Sequence, residues 1–255
     1  MFFDTHCHLN DRRYQKDIKG YVERAREAGV NYLLVVAWDV GSSKKAIKIA
    51  EKFPNVYAAV GIHPTDAVKT PKSDIQELEL LLTHPKVVAV GEIGLDYHWI
   101  KNPKEREIEY EFFVAQIELA NKYKKPVIIH MRDATNDTYE ILKNNTPKYQ
   151  GVMHSYSGSK EMVKRFTDLG FYISLGGPVT FLNAREPKEV ALVVPEDKLL
   201  IETDAPYLTP HPYRGKINES AKIPLIATAI AAIRNVSVEK VEEFTTKNAK
   251  RLFRI

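Results

Sequence analysis

Short apolar, β-branched runs alternate with longer amphipathic stretches from one end of the chain to the other. Eight of these runs read as strands, at residues 2–6, 32–38, 56–61, 87–90, 127–130, 151–154, 171–175 and 199–203. Most are apolar at every position, the pattern of parallel strands covered on both faces. The stretches between them carry helix signals. Ser73-Asp74-Ile75-Gln76 predicts a capping box opening a helix through Leu82. Asn102 and Pro103 supply an N-cap and a first-turn proline, and Ile108, Phe112, Ala115, Leu119 and Tyr123 mark one face of the helix that follows. Lys124 and Lys125 suit its C-terminus, and Pro126 stops it. Residues 221–234 and 238–253 predict two terminal helices. Strict β/α alternation with eight strands predicts an α/β fold: a (β/α)8 TIM barrel, occupying residues 1–255 as a single domain. An open doubly wound sheet would usually carry a glycine-rich phosphate loop after its first strand. This chain has Asp4-Thr5-His6-Cys7-His8 there instead.

The polar residues that matter fall at strand ends. Five of the eight histidines, namely His6, His8, His63, His130 and His154, close a predicted strand or follow it by a residue or two, as do Glu92 and Asp204. In a barrel the C-terminal strand ends form one rim, so these groups converge. Five imidazoles and two carboxylates around one mouth make a metal-ligand inventory, because a divalent cation reconciles groups that otherwise offer few donors to one another. Strand alternation puts His6 and His8 on one face and Cys7 on the other, toward the helices, where it reads as a small buried apolar residue. The same alternation sets Glu202 on the face of Asp204 one layer deeper, suited to orienting a ligand. His84 reads as a surface residue, while His98 and His211 are candidates for lining the mouth.

Composition narrows the picture further. The 255-residue chain is 44% apolar and 27% charged, which excludes disordered and collagenous classes. No apolar run approaches the roughly 18 residues of a membrane span, and the N-terminus lacks a signal-peptide layout. The single cysteine fits a reducing compartment, so a cytoplasmic location is expected. A net charge of +4 permits a polyanionic partner without forming a basic stripe. No obligate protein partner is evident.

The motifs Asp4-Thr5-His6-Cys7-His8, Gly61-Ile62-His63-Pro64, Gly91-Glu92-Ile93-Gly94-Leu95-Asp96-Tyr97, His130-Met131-Arg132-Asp133-Ala134, His154-Ser155-Tyr156-Ser157-Gly158 and Glu202-Thr203-Asp204-Ala205-Pro206-Tyr207 run in order along the chain. The series resembles that of the TatD-like metal-dependent deoxyribonucleases, (β/α)8 barrels of the metallo-dependent hydrolase superfamily, over essentially the whole length. Two departures stand out: Ser155-Tyr156 where the family often has Cys-Phe, and Asn218-Glu219-Ser220 where it often has Asn-Glu-Pro. The resemblance implies two divalent ions; mixed histidine and carboxylate ligation suits zinc, manganese or iron, and magnesium where waters complete the shell. His6, His8, Glu92 and Asp204 would hold one, and Glu92, His130 and His154 the other, with Glu92 bridging. It also implies that His63 lies beside the site, against the scissile phosphate or a further ion.

The expected reaction is hydrolysis of DNA phosphodiesters, at ends or in single-stranded tracts. Two ions stabilise the attacking and leaving oxygens of an in-line displacement and make water acidic enough to attack at neutral pH. Asp204 is the candidate acceptor of that water's proton, with Glu92 also in a catalytic role. Substrate contacts are expected from His63, Asp96, Arg132, Tyr156 and Arg214, and Tyr97, Trp99, Tyr156 and Tyr207 are placed to stack on exposed bases. The same constellation also suits ester or amide hydrolysis, such as removal of a D-amino acid from tRNA.

Overall fold

The computed structural model describes residues 1–255. In chain order it contains β1 (Phe2–Cys7), α1 (Ile18–Glu27), β2 (Val30–Val36), α2 (Val40–Lys52), β3 (Val56–Val60), α3 (Pro64–Ala67), α4 (Asp74–Leu81), β4 (Val87–Asp96), α5 (Pro103–Lys122) and β5 (Val127–Arg132). Then follow α6 (Thr135–Asn144), β6 (Gly151–Met153), α7 (Lys160–Asp168), β7 (Tyr172–Leu175), α8 (Glu186–Val193), β8 (Leu199–Ile201), α9 (Ile223–Arg234) and α10 (Val238–Phe253). The strands form one parallel sheet in sequence order, β1 to β8, curled into the expected barrel with the helices outside. No single helix is long and apolar enough to cross a membrane.

The uniformly apolar strands are explained by two separate packing layers. One cluster takes Phe3, Leu34, Val36, Ala59, Ala89, Ile128, Val152, Tyr172 and Leu200, at least one from each strand, and fills the barrel interior. Leu252 and Phe253 of α10 close it at the N-terminal end, with the Phe3 and Phe253 rings 5.9 Å apart. The larger cluster lies between strands and helices and contains Cys7, as the alternation of β1 requires.

Two local expectations are corrected. Ser73 makes no side-chain cap to α4 and itself has helical dihedrals. The preceding turn already bonds these amides to backbone carbonyls, Asp74 N to Pro71 O and Ile75 N to Lys72 O, which leaves a serine cap nothing to satisfy. The fourth strand runs to Asp96 rather than stopping at Val90. Gly91 and Gly94 inside it let two backbones approach. Gly94 has φ +144°, and a Cβ there would lie 2.0 Å from the His130 carbonyl oxygen. Only glycine lets β4 lie against β5 at this point, in the register Gly94↔His130 and Asp96↔Arg132. A register shift between Val90 and Ile93 breaks the alternation and turns Glu92 into the barrel mouth.

The sheet closes weakly. Between β8 and β1 the only bridge is Cys7↔Ala205, helped by Asp204 N donating to His6 O at 2.9 Å and His8 N to Ala205 O at 2.7 Å. The buried Asp4 carboxylate supplements this seam by accepting from Thr203 Oγ1 at 2.6 Å and Thr203 N at 2.9 Å, with His6 N at 3.3 Å. Asp4→Ala leaves these buried donors unsatisfied, so urea unfolding is expected to register a loss of about 2–4 kcal/mol. An unchanged midpoint would mean the seam does not depend on this carboxylate.

Candidate active site

The C-terminal ends of β1, β3, β4, β5, β6 and β8 bring His6, His8, His63, Glu92, His130, His154 and Asp204 together at the barrel mouth. Glu92 is the centre. Its Oε2 lies 3.4 Å from His6 Nε2 and 3.8 Å from His8 Nε2. Its Oε1 lies 2.8 Å from His130 Nδ1, 2.9 Å from His154 Nε2 and 3.5 Å from His63 Nε2. Asp204 Oδ1 completes the first group, 3.3 Å from His8 Nε2 and 3.9 Å from His6 Nε2. The backbone of Asp204 is left-handed (φ 54°), a conformation aspartate tolerates better than most residues.

The outer nitrogens of the imidazoles determine what the inner ones offer. His8 Nδ1 faces the Val36 carbonyl at 3.0 Å, His154 Nδ1 faces Glu202 Oε1 at 3.1 Å, and His130 Nε2 faces Asp96 Oδ2 at 2.9 Å. Each partner is an acceptor, so each outer nitrogen carries the proton and each neutral ring turns a lone pair inward. Lone pairs then face the oxygens of Glu92 and Asp204, and only shared protons or a cation relieve the opposition. The chemistry of this donor set therefore fits a divalent metal, with outer acceptors that orient the imidazoles as ligand supports do. Glu202, which also accepts from Ser155 N at 2.7 Å, fills the supporting position anticipated for it.

His63 differs from these three. Its Nδ1 accepts from Thr65 N at 3.2 Å and contacts Thr65 Oγ1 at 2.8 Å, capping α3. The neutral ring thus holds its proton on Nε2 and points a donor, rather than a lone pair, into the site.

The electrostatics follow from this packing. Burial by itself would raise Glu92, but the imidazoles of His154, His63 and His130 outweigh it and hold the carboxylate well below its usual range. Burial opposes charge on His154, yet Glu92 and Glu202 overcome that and raise it well above an ordinary histidine. His8 and His130 are likewise raised against burial, chiefly by Asp204 and by Asp96 respectively. His6 and His63 are lowered, by burial first and then by His154 and His130 respectively.

The expected substrate contacts divide. Arg132 is exposed at the end of β5, and its guanidinium makes no ion pair. Arg214 is exposed on the loop after β8, its guanidinium carbon 4.1 Å from the centre of the Phe181 ring, and makes no contact with the ligand groups. Asp96 is buried and is engaged by His130 and by Trp99 N (3.0 Å), which makes it a support rather than an open substrate contact. Tyr156 is also corrected: it is buried against Phe166 with its hydroxyl donating to Ser159 O, so its ring is not presented to the mouth. Tyr207 stands exposed beside His8, and Tyr97 is half-buried with its hydroxyl on Asp137. His98 is exposed and paired with Asp133, His211 lies in an exposed groove on the β7 and β8 side, and His84 pairs with Glu51.

Sequence reasoning missed Glu109 on α5. It is fully buried, and its Oε1 accepts from Asp96 N at 3.1 Å, behind the His130–Asp96 contact. The available signal was a carboxylate in helical phase with Phe112, Phe113 and Gln116, an apolar face where charge is unexpected. Burial pushes Glu109 up from 4.5 to about 7. The folded state therefore favours the protonated acid, so its contribution is complete below pH 4.5 and is lost as pH rises to about 7. Glu109→Gln is expected to match the parent near pH 4 and to exceed it by about 2–3 kcal/mol above pH 8. Denaturant unfolding at the two pH values checks this, and a pH-independent difference would contradict it.

The TatD related DNase family model matches residues 3–254. The chain belongs to the TatD family of metal-dependent hydrolases. It is 46% identical to the uncharacterized metal-dependent hydrolase YabD of Bacillus subtilis (strain 168), covering 100% of both chains. It is 39% identical to the uncharacterized metal-dependent hydrolase TatD of Mycobacterium tuberculosis (strain ATCC 25618 / H37Rv), over 98% of this chain and 97% of that one. Among solved structures, YjjV, a TatD homologue from Escherichia coli K12, superposes with a TM-score of 0.94 at 30% identity, covering 100% and 98% of the two chains. TatD-family membership and the buried histidine and carboxylate clusters agree on a metal-dependent hydrolase. His6, His8 and Glu92 bring ligand atoms within 4.8 Å of one another, as do His63, Glu92 and His130, and His6, His154 and Glu202.

Proposed function

We propose that the protein hydrolyses DNA phosphodiester bonds with two divalent cations held at the mouth. The observation that carries this reading is Glu92, whose two oxygens face different histidine groups. His6, His8, Asp204 and one oxygen of Glu92 would hold one cation, and His130, His154 and the other oxygen would hold the second. Cations so held supply Lewis-acid polarisation of the phosphoryl group and lower the pKa of water.

The chain's own groups do the rest. Asp204 commits Oδ1 to the His8 side, while its Oδ2 makes no protein hydrogen bond and is available to take a proton from the attacking water. His63 donates from Nε2 to a non-bridging phosphate oxygen, a role its capping contact with Thr65 enforces. Arg132 and Arg214 add cationic contacts to neighbouring phosphates, for which guanidinium geometry is suited. The family description, TatD related DNase, supports the choice of DNA.

The test is cleavage of end-labelled single- and double-stranded DNA by metal-stripped protein reconstituted with magnesium, manganese or zinc. The expected result is cleavage that depends on added metal and is abolished by chelator. Release of an amino acid from aminoacyl-tRNA with no DNA cleavage would replace this reading with ester hydrolysis.

A further inference from the structure

We propose that Trp99 is a stacking platform for an unpaired nucleobase next to the scissile phosphate, with Arg132 taking the adjoining phosphate. The inference rests on the polynucleotide reading above and narrows it to substrates with a free base on the β4–β5 side of the mouth.

Trp99 is 66% exposed, an unusual state for an indole. The backbone that carries it is nonetheless fixed. Its backbone N–H donates to Asp96 Oδ1 at 3.0 Å, while Asp96 Oδ2 faces His130 Nε2 at 2.9 Å. One carboxylate therefore ties the loop bearing the indole to a histidine of the site. Ile100 N closes the same turn onto Asp96 O at 3.0 Å, and Tyr97 N is held by Arg132 O at 2.9 Å.

The other three aromatics expected to stack are otherwise occupied. Tyr97 has the Arg106 guanidinium 3.9 Å from its ring centre, Tyr207 has that of Arg13 at 4.5 Å, and Tyr156 is buried. At Trp99 the neighbours are the perpendicular His98 ring at 4.9 Å and Arg132, whose guanidinium carbon is 5.8 Å from the indole centre. Arg132 has no carboxylate partner, whereas His98 is paired with Asp133. An exposed aromatic face with an unneutralised guanidinium beside it matches a base and its phosphate. A neutral sugar or an apolar side chain would stack on the indole but leave the cation unused. Because stacking needs an extruded or unpaired base, this arrangement favours single strands and frayed ends over intact duplex.

The test uses metal-loaded protein and a phosphorothioate-linked oligonucleotide, which resists hydrolysis, carrying 2-aminopurine near its end. Quenching of 2-aminopurine is expected on binding, with Kd raised about tenfold in Trp99→Ala and largely restored in Trp99→Phe. The substitution should not alter affinity for the same strand with abasic tetrahydrofuran units in place of its bases. No quenching by the parent, an unchanged Kd in Trp99→Ala, or an equal loss on the abasic strand would each overturn the platform. In turnover on single-stranded DNA, Trp99→Ala should raise KM with kcat nearly unchanged, and a fall confined to kcat would also overturn it. A parent protein that quenches through Trp99 yet cleaves no phosphodiester would keep the platform and overturn the nuclease reading.

Discussion

Glu92→Gln is expected to lower kcat/KM on DNA by about a thousandfold or more, while the fold survives. The size follows from what the carboxylate faces: His6 and His8 on one side, His130 and His154 on the other. Removing its charge weakens both halves of the site together, and loss of several kcal/mol of transition-state stabilisation corresponds to a rate loss of about that order. Glutamine keeps the volume in a buried position but turns an amide donor toward one histidine group, so one side loses an acceptor. Circular dichroism of the metal-free protein should keep the parent's shape, while its thermal unfolding midpoint should fall, since the neutral amide no longer pairs with the raised His154 and His130. Metal content measured by mass spectrometry should fall. Activity within tenfold of the parent would show that Glu92 is not the shared ligand.

Asp204→Asn is the second large effect. If Oδ2 of Asp204 accepts the water's proton, asparagine removes the base without moving the backbone, because it tolerates the left-handed conformation of this position as well as aspartate does. The loss should fall on kcat, by about 10²–10⁴-fold, with KM little changed. Metal held by His130, His154 and Glu92 should remain, so a metal-holding protein with strongly reduced turnover is expected. A raised KM with normal kcat would assign Asp204 to substrate binding.

The barrel was legible because its strands are apolar on both faces and its chemistry sits at their ends. His6, His8, His130, His154 and Asp204 could be read from that placement alone, since parallel strands in a barrel put all such ends on one rim. Glu92 was found for a reason only partly correct. It lies inside β4, not after it, and reaches the mouth through a register shift that alternation cannot anticipate. Asp96 and Tyr156 were misread for a related reason. Proximity to a strand end says nothing about whether a side chain points to solvent, to a neighbouring histidine or into the helix layer. The support from Glu109 was hidden because it comes from a helix 13 residues away from Asp96, and tertiary contacts of that kind leave only an anomalous polar residue on an apolar face. The Asp4 clasp at the β1–β8 seam was likewise invisible, because the strand ends it joins are 199 residues apart.

The central claim is that two cations share Glu92. Anomalous diffraction from crystals soaked in manganese tests it most directly. The account predicts two peaks, one bounded by His6, His8 and Asp204 and the other by His130 and His154, with an oxygen of Glu92 on each. A single peak, or a second one that does not touch Glu92, would contradict it.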